Sequence, residues 1–200
     1  NSQFKKFNKI FSEKTKVIDC TFDVNSSLKE RIERIKEECE ISVREGSSTL
    51  ILSDKDISNK KTSIPSALVV GAVHSHLVKN GLRGYCSLNV ECSDALDTHS
   101  FAVLIGVGAA TINPYLAIDS IYQRFEKKLF GKSDFESCVI KFKQSIDSGL
   151  LKIMSKMGIS VISSYRGGCN FEAVGLSRAI VSDYFPGMSS RISGIGISGI

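Results

Sequence analysis

Four polar side chains that could carry chemistry follow apolar runs of this sequence, at points where strands of a sheet would end. They are, in chain order, Asp54, Glu91, Asn113 and Arg166. In a parallel sheet ligands gather at the carboxyl ends of the strands, so we expect these side chains to converge. Asp54 and Glu91 could then serve as acid and base, and the guanidinium fork of Arg166 could hold a carboxylate or a phosphate. The structural alternative is that such residues cap the helices that follow, because Asp, Ser and Asn are favoured at helix starts.

The six cysteines show no metal-binding or redox pattern. None forms a C-x-x-C pair, so a zinc or thioredoxin-like site has little support. Cys86 and Cys92 would lie on one face of a strand, but an iron–sulfur cluster needs three or four converging thiolates. We therefore expect buried, reduced thiols and no metal.

The three histidines give no clear catalytic arrangement. His74 and His76 fall in an apolar helix, where a spacing of two places their side chains on nearly opposite sides, so they cannot comfortably share a metal. His99 follows Asp97 by two residues, and a histidine beside a carboxylate could be a base. Polar contacts at the start of a helix explain that pair more simply, and we predict no catalytic residue among them.

Strand and helix patterns alternate along the chain. The apolar runs predict strands over 17–22, 49–54, 85–90, 110–113 and 159–164. Apolar residues at helical spacing predict helices over 28–46, 64–78, 99–105, 116–129, 135–157 and 171–185. This alternation is typical of an α/β fold with a mainly parallel sheet, either an open sheet or part of a (β/α) barrel.

Composition and charge exclude several classes of function. The 200 residues are 42% hydrophobic and 24% charged, which suits one soluble domain, and no apolar run is long enough to cross a membrane. The net charge of +5 is concentrated in residues 1–16, so we predict a basic arm or linker there and a nearly neutral domain over 17–200. A nucleic-acid-binding fold would spread its basic residues over one face, so we expect neither nucleic acid nor a membrane as a partner. The G-x-G-x-x-G at 194–199 lacks a following helix, and no cofactor is predicted in the chain.

Several longer stretches carry a resemblance to a known family. They are Leu50-Ile-Leu-Ser-Asp54, Ile64-Pro-Ser-Ala-Leu68 with Gly71-Ala-Val-His-Ser-His-Leu77, His99-Ser-Phe-Ala-Val-Leu-Ile-Gly106, Ile112-Asn-Pro-Tyr-Leu-Ala117, Gly149-Leu-Leu-Lys-Ile-Met-Ser-Lys-Met-Gly-Ile-Ser160, and Ser164-Tyr-Arg-Gly167 with Phe171-Glu-Ala-Val-Gly-Leu176. From about Val17 onward they resemble the central domain of the large subunit of glutamate synthase. Since the chain opens on Asn1 rather than Met and stops in mid-pattern, we expect a segment of a longer protein.

The resemblance implies a role inside a multidomain oxidoreductase. Members of that family form two glutamates from glutamine, 2-oxoglutarate and a reductant. An amidotransferase domain releases ammonia, which travels through a tunnel to a domain that holds FMN and an iron–sulfur cluster. The central domain resembles that flavin domain in its (β/α) topology without holding a cofactor, and it links the two active sites and helps form the tunnel.

The same resemblance implies partners and a location. The partners would be the amidotransferase and FMN domains of the same parent chain, with a small reductase subunit or ferredoxin as electron donor, in the cytoplasm. The segment alone would be inactive. The residues that the resemblance places at interdomain or tunnel-facing positions are Met154, Ser155, Lys156, Ser160, Ser164, Tyr165, Arg166 and Glu172.

Two other hypotheses stay open. One is a free-standing (β/α) enzyme whose site uses Asp54, Glu91 and Arg166. The other is a partner-binding module that uses the basic arm as its contact. The sequence also departs from the family's usual pattern at Gly168-Cys-Asn170 and at His74-Ser-His76.

Overall fold

The computed structural model describes residues 14–200, so most of the predicted basic arm lies outside the described residues. The strands are β1 Thr15–Asp19, β2 Thr21–Asp23, β3 Thr49–Ser53, β4 Lys61–Ser63, β5 Ser87–Glu91, β6 Thr111–Asn113, β7 Glu172–Leu176 and β8 Ser189–Ile195. The helices are α1 Leu28–Arg44, α2 Ser66–Lys79, α3 Thr98–Gly106, α4 Tyr115–Glu126, α5 Phe135–Lys156, α6 Ile162–Tyr165 and α7 Arg178–Tyr184, with 3₁₀ turns at Arg83–Tyr85 and Ile197–Gly199.

A four-stranded parallel sheet forms the centre of the fold. Its strand order is β1-β3-β5-β6, and every neighbouring pair is parallel. Strand β2 pairs antiparallel with β4, and β7 pairs parallel with β8, each as a separate two-stranded sheet. The expectation of an α/β fold with a mainly parallel sheet is confirmed.

Three crossover helices cover the sheet. Helix α1 connects β1 to β3 by way of β2, α2 leads into β5, and α3 connects β5 to β6, so spatial order follows chain order. With the usual right-handed crossovers, sequential strand order places the helices side by side, as in part of a (β/α) barrel. Helix α2 contacts both α1 and α3. The buried strand residues, among them Leu50, Leu52, Leu88 and Val90, form one core with apolar residues of all three helices.

The predicted strand over 159–164 is wrong. Helix α5 ends there, and the backbone N–H of Ile159 donates to the carbonyl of Met154, which closes the helix end and removes a donor that a strand would need. The chain then begins the short helix α6 at Ile162. Its one fully buried side chain is Tyr165, so burial here does not alternate as in a strand.

The predicted single helix over 171–185 is also wrong, because two elements occupy it. Strand β7 comes first, and Gly175 has a φ of +79°, which a right-handed helix does not allow. Helix α7 begins only after Ser177, whose side chain accepts a hydrogen bond from the backbone N–H of Ile180. Ser177 is an N-cap that divides an apolar stretch of helical appearance.

Candidate functional site

Three polar side chains meet at the carboxyl ends of the central strands. The register places Ser53 beside Glu91 and Glu91 beside Asn113. The Glu91 carboxylate accepts hydrogen bonds from Ser53 Oγ at 2.8 Å, Asn113 Nδ2 at 2.9 Å and Lys55 Nζ at 2.5 Å. Glu91 is only 8% exposed, so these three donors, of which Lys55 is charged, replace the water that its carboxylate would otherwise bind.

Asp54 lies next to this cluster and organises the loop after β5. Its Oδ2 accepts from the backbone N–H of Ser93 at 2.9 Å and from Ser93 Oγ at 2.7 Å. Asp54 is 4% exposed, and its Oδ1 is buried without a hydrogen-bond partner. Burial and the neighbouring Asp54 carboxylate raise the pKa of Tyr115, the first residue of α4. The strand ends thus hold a buried polar network built on two carboxylates.

Asp94 caps the helix that follows β4. Its carboxylate accepts from the backbone N–H of Ser66 at 2.9 Å and from Ser66 Oγ at 2.6 Å. Asp97 does the same within its own helix, accepting from Ser100 at the start of α3. Polar contacts at a helix start therefore account for Asp97 beside His99, as the simpler interpretation of that pair predicts.

Arg166 does not join the strand-end cluster. Its charge acts on His74 and Arg83, and the backbone N–H of the adjoining Gly167 donates to the carbonyl of Gly106 at 2.8 Å. His74 is eight residues along α2 from Ser66, which contacts Asp94, so about 12 Å of helix separates the two regions. Arg166 is predicted to follow a strand over 159–164, but helix α6 occupies the end of that segment instead.

The two histidines of α2 face different partners. His74 Nδ1 accepts from Arg83 Nε at 3.0 Å, while His76 Nε2 lies 2.6 Å from Glu40 Oε2 on α1. Burial, together with the charges of Arg83 and Arg166, lowers the pKa of His74 to about 4. The two imidazoles therefore have separate environments, and no group of three or more metal-ligating side chains is found within residues 14–200.

The predicted interdomain residues divide into buried and exposed groups. Met154 and Tyr165 pack together in a small second core with Ala102. Tyr165 is 1% exposed, and burial raises its pKa while its hydroxyl has no hydrogen-bond partner. The side chains at the surface are Ser155, Lys156, Ser160, Ser164 and Glu172, and Arg166 is half-buried.

Five cysteines are buried and Cys169 is exposed, and none is in a disulfide. Burial raises the pKa of the Cys92 thiol to about 12 and also raises those of Cys20, Cys39 and Cys86. These four thiols stay protonated and unreactive at neutral pH.

A groove that sequence reasoning missed lies between α2 and α7, and we call it the α2–α7 groove. Its volume is about 320 Å³, and it is lined by Gly71, His74, Ser75, Val78, Lys79, Gly106, Val107, Gly167, Cys169, Phe171, Tyr184, Phe185, Pro186 and Met188. A Cβ at Gly71 would overlap the Phe185 ring, and one at Gly106 would overlap the Phe171 ring. Glycine inside a helix costs about 1 kcal/mol relative to alanine, so a glycine at such a position indicates a close contact. Gly71, inside an apolar helix, is therefore the feature of the sequence that could have indicated this groove.

Comparison with known proteins assigns the family. The model of the glutamate synthase central domain matches residues 1–177. The chain belongs to the glutamate synthase central domain family. It is similar to the glutamate synthase [NADPH] large chain of Azospirillum brasilense, with 50% identity over 100% of this chain and 13% of that protein.

Two further relatives show how far the similarity extends. The glutamate synthase [NADPH] large chain of Bacillus subtilis is 42% identical over 94% of this chain and 12% of its own length. The chloroplastic ferredoxin-dependent glutamate synthase of Spinacia oleracea is 42% identical over 86% of this chain and 11% of its own length. The chain therefore spans about an eighth of the length of these relatives. None of the helices between residues 14 and 200 is long and apolar enough to span a membrane.

Proposed function

We propose that this chain is the coupling domain of a glutamate synthase that forms two glutamates from glutamine, 2-oxoglutarate and a reductant. In this proposal the domain links the glutaminase domain to the FMN domain of the same parent chain and helps form the ammonia tunnel. The observation that carries the proposal is family membership over residues 1–177. The relatives include a glutamate synthase [NADPH] large chain and a ferredoxin-dependent glutamate synthase, and these names support glutamate synthesis as the activity of the parent chain.

The bonding at the strand ends supports a structural role for this domain rather than a catalytic one. Glu91 uses its carboxylate on Ser53, Lys55 and Asn113 of the same fold. These contacts occupy both oxygens of the carboxylate with donors of the same fold.

A surface rich in exposed apolar side chains supports contact with neighbouring domains. Leu151, Met157, Val161 and Ile162 are all exposed, at the end of α5 and the start of α6. Exposed apolar side chains mark interaction sites where they form one patch, and we propose that these four do so. The hydroxyl and ammonium groups of Ser155, Lys156 and Ser160 lie in the same stretch and would form its polar rim.

We place one wall of the ammonia passage along this surface, which we call the 151–172 surface. Ser160 and Ser164 present hydroxyl groups that can hydrogen-bond to ammonia, and neighbouring domains would supply the other walls. Met154 and Tyr165 lie underneath and hold the surface in position. FMN and the iron–sulfur cluster belong to the parent chain outside this segment, and a small reductase subunit or ferredoxin would deliver electrons in the cytoplasm.

Coupling can be measured directly in the full-length parent chain. A charge at the 151–172 surface, Val161→Asp, should disrupt the domain contact, so that glutamine hydrolysis continues while free ammonia escapes and less glutamate forms per glutamine consumed. Ile140→Asp is the matched control, because Ile140 is 48% exposed and Val161 52%, and only Val161 lies on this surface. Unchanged coupling in Val161→Asp, or equal loss in both variants, would refute the proposed interface.

The inactivity of the segment is tested separately. Purified residues 1–200 should bind no stoichiometric flavin and show neither glutaminase nor synthase turnover. Either property, if found, would overturn this part of the proposal. The free-standing-enzyme alternative needs Asp54, Glu91 and Arg166 in one site, and the separation of Arg166 from the other two argues against it.

A further inference from the structure

Two guanidinium groups and an imidazole lie together beside the α2–α7 groove without a carboxylate. Arg83 donates to His74 Nδ1 at 3.0 Å, to the carbonyl of Cys86 at 2.6 Å and to the carbonyl of Gly108 at 2.9 Å. All three acceptors are neutral. Neither Arg83 nor Arg166 belongs to any ion pair found within residues 14–200.

Arg166 also has an unsatisfied donor. Its Nε is buried and has no hydrogen-bond partner. A buried donor left unpaired is unfavourable, and more so when the group is charged. The charge of Arg166 acts on both His74 and Arg83 and lowers the pKa of each. The region is therefore positively charged and has a hydrogen-bond donor with no protein acceptor.

The α2–α7 groove opens beside this positive region. His74, Lys79 and Gly167 line it, and none of its lining residues is acidic. Because His74 Nδ1 accepts from Arg83, the proton of the neutral imidazole lies on Nε2. This Nε2 lies close to Gly167, since a Cβ built on that glycine would be 4.0 Å away. The rest of the wall includes the apolar side chains of Val78, Phe171 and Phe185.

We propose that the α2–α7 groove is a binding site for a small organic carboxylate with an apolar body. The carboxylate would lie near His74 and Lys79, which line the groove, and it would compensate the unpaired positive charge of Arg166, which adjoins the lining residue Gly167. The apolar body would lie against the side chains of Val78, Phe171 and Phe185. This fits the usual composition of a ligand site, which is mostly apolar with a few converging polar groups.

Cys169 provides a probe in the groove wall. It is the exposed cysteine of the chain, so a neutral alkylating reagent should modify it while the five buried thiols react slowly. The full-length parent chain is treated with iodoacetamide, and modification of the Cys169 peptide is followed by mass spectrometry at increasing hexanoate concentration. Hexanoate should slow the reaction in a saturable manner, and hexanamide, which has the same chain without the charge, should not.

Charge-removing variants test the recognition. Arg166→Gln and Lys79→Gln should each raise the hexanoate concentration needed for half-protection by about tenfold, the effect of losing a hydrogen bond to a charged group. Lys79 is exposed, so Lys79→Gln keeps the test decisive if Arg166→Gln does not fold. Lys143→Gln, at an exposed lysine of α5 outside the groove, should leave protection unchanged.

Three results would overturn the proposal. The first is absence of protection by hexanoate, and the second is equal protection by hexanamide. The third is a Cys169 thiol that does not react at all in the full-length chain, because the groove would then be closed by another part of the protein. The readouts differ, because coupling is measured as glutamate formed per glutamine consumed and groove binding as protection of Cys169, so the two proposals fail separately.

Discussion

Asp94→Ala should loosen the start of α2 although Asp94 lies outside that helix. Pro65 precedes the helix and provides no side-chain cap. The carboxylate of Asp94, 28 residues from Ser66 in sequence, takes the place of a local cap. It accepts hydrogen bonds from Ser66 N at 2.9 Å and from Ser66 Oγ at 2.6 Å. Removing the carboxylate leaves the backbone N–H of Ser66, at the first position of the helix, without its acceptor.

The expected magnitude follows from the cap and the charge that the substitution removes. Removal of an N-cap costs about 1 kcal/mol, and removal of a negative charge from a helix N-terminus adds roughly 0.3–1 kcal/mol. The total of about 1–2 kcal/mol corresponds to roughly a tenfold increase in local opening of the helix. Asp94→Asn keeps one acceptor oxygen without the charge, and it should give an intermediate effect.

Hydrogen–deuterium exchange measured by mass spectrometry reports this opening in the parent chain. Peptides over residues 66–72 should exchange about tenfold faster in Asp94→Ala. Asp97→Ala is the matched control, since Asp97 makes the same pair of contacts with Ser100 at 2.8 Å and 2.7 Å, but at the start of α3. If the start of α2 exchanges at the wild-type rate in Asp94→Ala, or if Asp97→Ala accelerates it equally, the tertiary cap does not stabilise α2.

Two further substitutions test the packing and the electrostatics around the groove. Gly106→Ala should destabilise the domain by about 1–3 kcal/mol, because its Cβ would overlap the Phe171 ring, whereas Gly84→Ala meets no atom within 4 Å and should be nearly neutral in urea unfolding. The pKa of His74 is lowered from 6.5 to about 4, so the unfolded chain binds this proton at a higher pH than the folded chain does. Stability should therefore fall as the pH decreases from 6.5 toward 4, and His74→Gln should reduce that slope in urea midpoints measured across the range. An unchanged slope in His74→Gln would show that other groups cause it.

Local patterns predicted most elements in the first two-thirds of the chain. The exceptions are the predicted strand over 17–22, which is divided into β1 and β2 in separate sheets, and β4, which was not predicted. Leu28, Ile32, Ile35 and Cys39 recur at helical spacing and are all buried on α1, and Ser27 caps that helix. The run over 49–54 is apolar because β3 is buried along its whole length. In these elements the burial pattern and the local propensity agree, so the sequence alone is informative.

The same reasoning failed after α5, where local patterns are ambiguous. Residues 171–185 have apolar spacing compatible with a helix, but Gly175 and Ser177 divide them into β7 and α7. Strand β7 is stabilised by pairing with β8, whose residues follow it by more than ten positions, and periodicity within one segment does not contain that contact.

For the site, the amino-acid sequence determined that Asp54, Glu91 and Asn113 come together, because the carboxyl ends of neighbouring parallel strands necessarily share one edge of a sheet. It also determined the family, through stretches long enough to be specific. Only the tertiary structure decided the position of Arg166, which lies with His74 and Arg83 instead, and only the tertiary structure formed the α2–α7 groove. The physical reason is that a strand end is fixed by local hydrogen-bond geometry, whereas a groove is the space left between helices whose packing depends on contacts distant in sequence.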